Sequence, residues 1–268
     1  MDEQISFKTR VRDTLVSCAK MYYSSYVCRD YLVISDAFSQ RPYYIISAEK
    51  DNFLHLTGVY TSLSGRAFFD RCLDGSLSED DFELSTHGQD ERASKGTIRR
   101  KMNSLPYISG LLSGGSLVEE GFQKNTVYCS LASSDGSCTM GFVAVPVGRP
   151  KTLLKGNELN PAKSEKLKIV LSKARTESRY STVEVGNDEA LLQNYSILEP
   201  IVDEGLATHL RELKAVEDQI ESATSKDETA ASEKSAATEE SVASEESAVS
   251  EGMLASDDSA TSEEVSHE

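Results

Sequence analysis

The sequence predicts an α+β fold, in which N-terminal helices pack on a mostly antiparallel sheet of about four strands. Three observations support this prediction. Apolar residues recur at steps of three and four over residues 5–26, as on one face of an amphipathic helix. Short segments rich in β-branched and aromatic residues follow at 30–34 and 42–47, and again beyond residue 125. The last segment, 222–268, is acidic and contains no Phe, Tyr, Trp or Ile, so it is expected to lie outside the folded domain.

Three helices are predicted in the first half of the chain. The first covers residues 5–26, and its apolar stripe consists of Phe7, Val11, Leu15, Cys18, Tyr22 and Tyr26. The second runs from Ser64 to Leu73, and Gly75 is placed to end it because glycine readily adopts the left-handed conformation common at helix C-termini. The third begins near Ser94, and Pro106 ends it because proline lacks the amide hydrogen that a helix interior requires.

The strands are predicted from their β-branched and aromatic content. Asp30–Ile34 and Pro42–Ser47 are joined by a turn-like segment, so they are expected to form a hairpin. Three more strands are expected further along the chain, at Asn125–Ser130, Cys138–Val145 and Leu167–Leu171. Asp135-Gly136 is a hairpin signal between the first two of these three strands, because both residues tolerate a positive φ angle.

Composition divides the chain into three parts: an α+β domain at 1–195, a charged helix at 196–221 and an acidic tail at 222–268. The tail contains 13 of the 44 acidic residues but only two lysines, so the rest of the chain has a net charge of −5 compared with −16 overall. It repeats a six-residue Ser/Ala/Glu unit. Because six residues turn a helix by about 240°, the alanines form no continuous stripe. We expect a disordered, solvated spacer, with a partner-binding element as the open alternative.

Cysteine usage and hydropathy indicate a cytoplasmic protein without a cofactor or a structural metal. The five cysteines are odd in number and show no C-x-x-C spacing, which argues against a disulfide framework or a zinc site. The chain begins with Met1-Asp2-Glu3-Gln4, which is acidic where a signal peptide would be basic. No apolar run approaches the roughly 20 residues that span a bilayer, so no contact with a membrane is expected.

His55 is the first candidate for chemistry. Only one other histidine, His87, occurs in the first two hundred residues, and imidazole is the side chain that titrates near neutral pH. His55 follows a predicted strand, precedes Gly58, and has the hydroxyl of Thr57 two positions away. A single histidine beside a strand end is also common as a structural hydrogen-bonding group, so the residues alone leave both interpretations open.

Positive charge is concentrated in two places. The third helix carries Lys95, Arg99, Arg100 and Lys101. The basic strip, which we define as residues 149–179, contains nine basic and three acidic residues, a local charge of +6. Such a strip is typical of a polyanion site on one face of an acidic protein. A lysine-rich sheet edge that discourages strand pairing would give the same count, and the sequence does not decide between the two.

The chain resembles a phage-associated branch of the barnase-EndoU-colicin-RelE (BECR) nuclease superfamily. The similarity rests on four motifs in the family's order over residues 30–160: FLHLTG at 53–58, FFDRCL at 68–73, GTIRRKM at 96–102, and GFV at 141–143 leading to PKTLL at 150–154. Members of this superfamily have N-terminal helices followed by an antiparallel sheet, which agrees with the fold predicted above.

The resemblance implies metal-independent cleavage of RNA by attack of a ribose 2′-hydroxyl on the adjacent phosphate. A base takes the hydroxyl proton, an acid protonates the leaving 5′-oxygen, and a cation stabilises the phosphoryl charge. On this basis the catalytic residues are His55, Lys101 and Thr152, and the substrate-binding residues are Thr57, Arg99 and Lys151. A second proton-transfer group is not assigned, and no metal is required.

Two functions therefore remain as hypotheses. The first is a ribonuclease of a prophage or mobile element, a toxin that acts on RNA and has an immunity or antitoxin protein as partner. The second is a catalytically inactive structural or interaction protein of a prophage with the same fold. The two differ in one geometric requirement, because His55, Lys101 and Thr152 must converge in one cleft to contact a single phosphate. The oligomeric state is left open.

Overall fold

A computed structural model describes residues 5–86, 88, 90–220, 222 and 223. The chain divides into two units, Met1–Lys214 and Ala215–Glu268. In the second unit, 215–220, 222 and 223 are helical. The predicted tail, apart from 222 and 223, lies outside the described residues, as does His87. In the first unit, the helix predicted at 196–221 is interrupted, because residues 199–203 are not helical.

The helices of the first half of the chain lie close to where the sequence predicts them. They are α1 (Phe7–Tyr22), α2 (Asn52–Thr57), α3 (Gly65–Asp74) and α4 (Glu91–Ser104). The first helix continues as a π-helical turn, Tyr23–Val27, and α4 is followed by a 3-10 helix, Leu105–Gly110, that contains Pro106. A 3-10 turn also forms at Glu79–Asp81. The last helices of the first unit are α5 (Asp188–Gln193), α6 (Tyr195–Leu198) and helical residues 204–214.

Helix ends follow local chemistry. The hydroxyls of Ser6 and Ser64 accept hydrogen bonds from backbone amides in the first turns of α1 and α3. Gly58 and Gly75 end α2 and α3 in the left-handed conformation, at φ angles of 77° and 82°. The predicted role of Gly75 is confirmed. Helix α4 begins earlier than predicted because the side chain of Asp90 caps it.

The described residues form a nine-stranded sheet, in the order β11-β10-β1-β2-β8-β7-β6-β3-β9. Its strands are β1 (Arg29–Ile34), β2 (Tyr44–Ser47), β3 (Leu117–Glu120), β6 (Leu131–Ser134), β7 (Cys138–Ala144), β8 (Gly148–Lys155), β9 (Ser164–Lys166), β10 (Ile169–Ala174) and β11 (Thr182–Val185). A separate hairpin consists of β4 (Gln123–Lys124) and β5 (Val127–Tyr128). Neighbouring strands are antiparallel except for the parallel pair β2 and β8.

The prediction of about four strands was wrong, although the α+β class and the β1–β2 hairpin are confirmed. Several strands contain polar residues, so their β-branched and aromatic content is too low to predict a strand. In β6, Ser133 and Ser134 are buried, and their hydroxyls donate to the carbonyls of Leu111 and Cys138. The predicted strand Asn125–Ser130 forms only the two residues of β5, and the Asp135-Gly136 turn joins β6 to β7.

The sheet has two faces with different coverings. On the helix face, α1 to α4 pack on a main core whose largest members include Tyr22, Phe53, Phe68, Phe69 and Phe142. The opposite face carries two smaller clusters, one under α5, α6 and residues 204–214, the other around Phe122 and Cys129. Alternation along β1 separates the faces, because Tyr31 and Val33 belong to the main core, whereas Leu32 and Ile34 face the other way.

Candidate functional site

Helix α2 holds His55 at the surface. Phe53 and Leu56 on either side are fully buried in the main core, so the turn of the helix leaves His55 exposed between them. Gly58 then ends the helix in the left-handed conformation. His55 thus lies in a short helix that Gly58 ends, and its imidazole is exposed.

Lys101 of α4 reaches the same helix. Its Nζ donates a hydrogen bond of 2.8 Å to the backbone carbonyl oxygen of His55. Neighbouring Ile98 and Met102 are buried, and the lysine itself is half-buried. Burial lowers the pKa of Lys101 to about 8, because the charged ammonium loses hydration there. A lysine with this pKa exchanges protons near physiological pH, and it lies beside the helix turn that presents His55.

Gly58 makes room for Lys101. A Cβ atom added at Gly58 would lie 2.9 Å from Cδ and 3.5 Å from Cε of the lysine. The positive φ of 77° already favours glycine at this position. The glycine of the FLHLTG motif therefore has two roles, to end α2 and to let the lysine chain cross the end of the helix.

Thr57 does not face a ligand. Its side chain is fully buried, and its hydroxyl donates to the carbonyl of Leu54 at 2.8 Å. The same oxygen accepts the amide of Val59 at 3.3 Å. Because both interactions lie within the end of α2, this hydroxyl stabilises the turn that follows His55, and the predicted substrate contact does not fit this arrangement.

Thr152 lies on the opposite face of the sheet from α2 and α4. It is paired with Gly141 on β7, and a Cβ added at Gly141 would lie 3.1 Å from its methyl group. The next residue, Leu153, belongs to the main core on the helix face. Since side chains alternate along a strand, Thr152 faces away from the helices. The predicted convergence of His55, Lys101 and Thr152 in one cleft is therefore wrong, and only the first two come together.

Lys151 shares the face of Thr152 because of a β-bulge. The register shifts where Gly141 pairs with Thr152 and Phe142 pairs with Pro150, which leaves Lys151 without a partner on β7. Lys151 is exposed. Burial raises the pKa of Cys129 to about 11, and the nearby charge of Lys151 acts in the other direction. Lys151 and Thr152 are thus neighbours, as predicted, but away from His55.

Arg99 also points away from Lys101. The two residues are two positions apart on α4, which turns a helix by about 200°. The guanidinium carbon of Arg99 lies 5.3 Å from the ring centre of Phe7 on α1, and the side chain is exposed. Arg99, which was predicted to bind substrate, thus lies on the other side of α4 from the His55 site.

A cluster around Glu49 was not predicted from the sequence. Arg175, just beyond β10, donates to the carbonyl of Ala48 at 2.8 Å and to the carboxylate of Glu49 at 2.5 Å. Arg149 lies 3.5 Å from the same carboxylate, and the Tyr22 hydroxyl donates to the Glu49 carbonyl at 3.0 Å. The cluster fixes the segment that joins β2 to α2. No local pattern could have indicated it, because Arg175 and Glu49 are separated by 126 positions.

The basic strip is partly neutralised by acidic residues from other elements. Four of its residues form ion pairs with such carboxylates: Arg149 and Arg175 with Glu49, Lys168 with Asp36, and Lys173 with Asp30. Lys166 lies on β9, which is an edge strand of the sheet. The charge count of +6 therefore overstates the free positive charge, and the edge position of β9 agrees with the alternative of edge protection.

In the part of the chain that the structure covers, no three histidine, cysteine or acidic side chains are grouped as they would be around a metal ion. The helices described are also too short or too polar to cross a bilayer.

Comparison with known proteins identifies the family. A family model described as phage-Barnase-EndoU-ColicinE5/D-RelE like nuclease 4 (PBECR4) matches residues 14–184, a region that contains His55 and Lys101. Searches of curated proteins and of solved structures found no match. Since the match covers more than half of the chain, the protein belongs to the PBECR4 family of phage-associated nucleases related to barnase, EndoU, colicins E5 and D, and RelE.

Proposed function

We propose that the protein is a metal-independent endoribonuclease of phage or mobile-element origin, with His55 and Lys101 as its catalytic pair. The observation that supports this most is the contact between α4 and α2, in which the ammonium of Lys101 lies 2.8 Å from the carbonyl of the exposed His55. Membership of a nuclease family supports a nucleic acid as substrate.

In the proposed reaction, the imidazole of His55 accepts the proton of a ribose 2′-hydroxyl. The 2′-oxygen then forms a bond to the adjacent phosphorus, while the bond from phosphorus to the 5′-oxygen breaks. The ammonium of Lys101 donates its proton to the leaving 5′-oxygen and stabilises the negative charge of the phosphoryl group. The products are a 2′,3′-cyclic phosphate and a 5′-hydroxyl, and the atoms balance without water or a metal ion.

The pKa of Lys101 supports its role as the acid. At about 8, it leaves most of the amine protonated at neutral pH, and it makes the proton easier to release than that of an ordinary lysine. Thr152 and Lys151 take no part in this reaction because they lie on the opposite face of the sheet. Thr57 acts only by bracing the end of α2.

The position of Thr152 favours a second candidate function. A domain that retains the fold but lacks a complete phosphate site would serve as a structural or interaction protein of a prophage. It would leave RNA intact under all conditions, which separates it from the first proposal.

The experiment is incubation of the purified full-length protein with total RNA in EDTA, followed by analysis of the fragment ends. We expect cleavage to continue under chelation and to leave 2′,3′-cyclic phosphates. Loss of cleavage in EDTA and its return with a divalent cation would contradict the proposed mechanism. Intact RNA with and without divalent cations would favour the interaction protein.

A further inference from the structure

A groove between α1 and α4 has a composition that suggests a ligand. Its volume is about 270 Å³, and its lining includes Phe7, Arg10, Arg99 and Asn103. The guanidinium carbons of Arg99 and Arg10 lie 5.3 Å and 5.9 Å from the ring centre of Phe7. Both arginines are exposed, whereas Phe7 packs against the main core. The aromatic ring thus holds two guanidinium groups at the mouth of one groove.

These two arginines differ from the other cations around them. Lys8, Arg12 and Lys95 each form an ion pair, with Glu83, Asp13 and Glu91 respectively. Within the described ranges, Arg10 and Arg99 have no carboxylate within 4.0 Å. Their guanidinium groups contact the Phe7 ring instead. Two guanidinium groups that converge without an internal anion form a site for an external one.

The groove continues along α4. A second groove of about 480 Å³ is lined by Arg92, Lys95, Gly96 and Arg99, together with Glu91, which is paired with Lys95. Arg99 lines both grooves. A chain of phosphates could therefore follow α4 from one groove into the next, whereas a small isolated anion would occupy only one of them. This continuity favours a polymeric ligand.

The groove is also at a useful distance from the proposed catalytic pair. Arg99 and Lys101 lie on opposite sides of α4, and a helix with its side chains is about 10–12 Å across. A strand with its scissile phosphate at Lys101 would thus bring a flanking phosphate to Arg99.

We propose that the Arg10–Arg99 groove binds a backbone phosphodiester of the RNA that flanks the bond that is cut. This inference rests on the proposed function for its choice of RNA. Guanidinium groups suit this role because their planar forks match phosphate oxygens. Contacts to phosphate carry no sequence information, so the site adds affinity without sequence preference.

The test is RNA binding by the full-length protein carrying His55→Ala, which prevents cleavage during the measurement. A fluorescent 12-nucleotide RNA is titrated against this protein and against the same protein with Arg10→Gln and Arg99→Gln added. We expect the added substitutions to weaken binding by roughly tenfold to a hundredfold. The slope of log K against log salt should fall by about 0.7, the value for one lost phosphate contact on a single strand.

The matched control is Arg12→Gln with Lys20→Gln, which removes two positive charges from α1 outside the groove, those of the half-buried Arg12 and the exposed Lys20. We expect this control to bind within about twofold of the His55→Ala protein. Equal weakening by both pairs would show that only net charge matters and would overturn the proposal. Unchanged binding by the Arg10 and Arg99 pair, or no RNA binding at all, would also overturn it. Failure of the proposed function would appear separately, as uncleaved RNA with the wild-type protein.

Discussion

Gly58→Ala tests the contact between α2 and Lys101, because the chain offers a close control. Gly58 and Gly75 both end a helix in the left-handed conformation, at φ angles of 77° and 82°. An added Cβ meets Lys101 at 2.9 Å in the first case, and nothing within 4 Å in the second. The difference between the two alanine variants therefore separates backbone strain from displacement of the lysine.

The expected magnitudes follow from these distances. Gly75→Ala should lower the free energy of unfolding by about 1–2 kcal/mol, the cost of a left-handed alanine. Gly58→Ala should cost about 1–3 kcal/mol more, because Lys101 must move and its charged hydrogen bond to the His55 carbonyl weakens. RNA cleavage should fall at least tenfold in Gly58→Ala and stay near the wild-type rate in Gly75→Ala.

The assay is urea denaturation of both variants, followed by cleavage of a defined RNA oligonucleotide under native conditions. Equal losses of stability in the two variants would refute the packing of Lys101 against Gly58. Full cleavage activity in Gly58→Ala would refute the view that the position of Lys101 matters for the chemistry.

Three further predictions concern stability and binding. Burial holds the pKa of Lys101 near 8, below its value in the unfolded chain, so the folded state disfavours the charged lysine. Between about pH 8 and 10.5 the unfolded chain therefore binds more protons than the folded one. Over this range the free energy of unfolding, compared with that of Lys101→Met, should rise by about 2–3 kcal/mol. Denaturation across this pH range checks it, and a pH-independent difference would contradict it. Arg175→Met should lower the free energy of unfolding by about 2–4 kcal/mol, because it removes the hydrogen bonds to Ala48 and Glu49. Arg66→Met, at an exposed position, should change it by less than about 0.5 kcal/mol. Equal effects of the two substitutions would show that the cluster around Glu49 does not stabilise the fold. Deleting 222–268 removes 13 acidic residues and two lysines. The deletion should tighten RNA binding more at 0.01 M salt, where charges act over about 30 Å, than at 0.15 M, where they act over about 8 Å. Equal RNA binding by the truncated and full-length proteins at every salt concentration would indicate that the tail is only a spacer.

Periodicity and local chemistry accounted for the helices and the first hairpin. The stripe of α1, the hairpin of β1 and β2 and the left-handed Gly75 all arise from residues close together in the chain. The position of His55 between a predicted strand and Gly58 likewise agrees with the short helix α2 that Gly58 ends. These features were predictable because neighbouring residues determine them.

The extent of the sheet was less predictable because polar residues occupy buried strand positions. Ser133 and Ser134 are compatible with β6 only because backbone carbonyls of distant or adjoining segments accept their hydroxyl protons. Strand β9 is short and charged, and it is held by pairing with β3. A pattern based on apolar alternation cannot detect strands that tertiary partners stabilise.

The candidate site was also only partly predictable from the sequence. The motifs placed His55 and Lys101 at one site, and the Lys101 ammonium does contact the His55 carbonyl. The position of Thr152 depends on which strand residue faces the helices. The bulge beside Gly141 sets that register, and no signal in the neighbouring sequence shows it. The contact of Arg175 with Glu49 likewise depends on the pairing of β10 and β2 with the two sides of β1.

The rate of RNA cleavage by His55→Ala tests the central claim most directly. His209→Ala is the matched control, because His209 is exposed and pairs with Asp188 at 2.9 Å. Single-turnover cleavage of a defined RNA is measured for both variants and the wild type, together with their melting temperatures. We expect His55→Ala to be slower by roughly 10²- to 10⁴-fold with an unchanged melting temperature, and His209→Ala to retain the wild-type rate. Wild-type cleavage by a folded His55→Ala protein would contradict the assignment of His55 as the catalytic base.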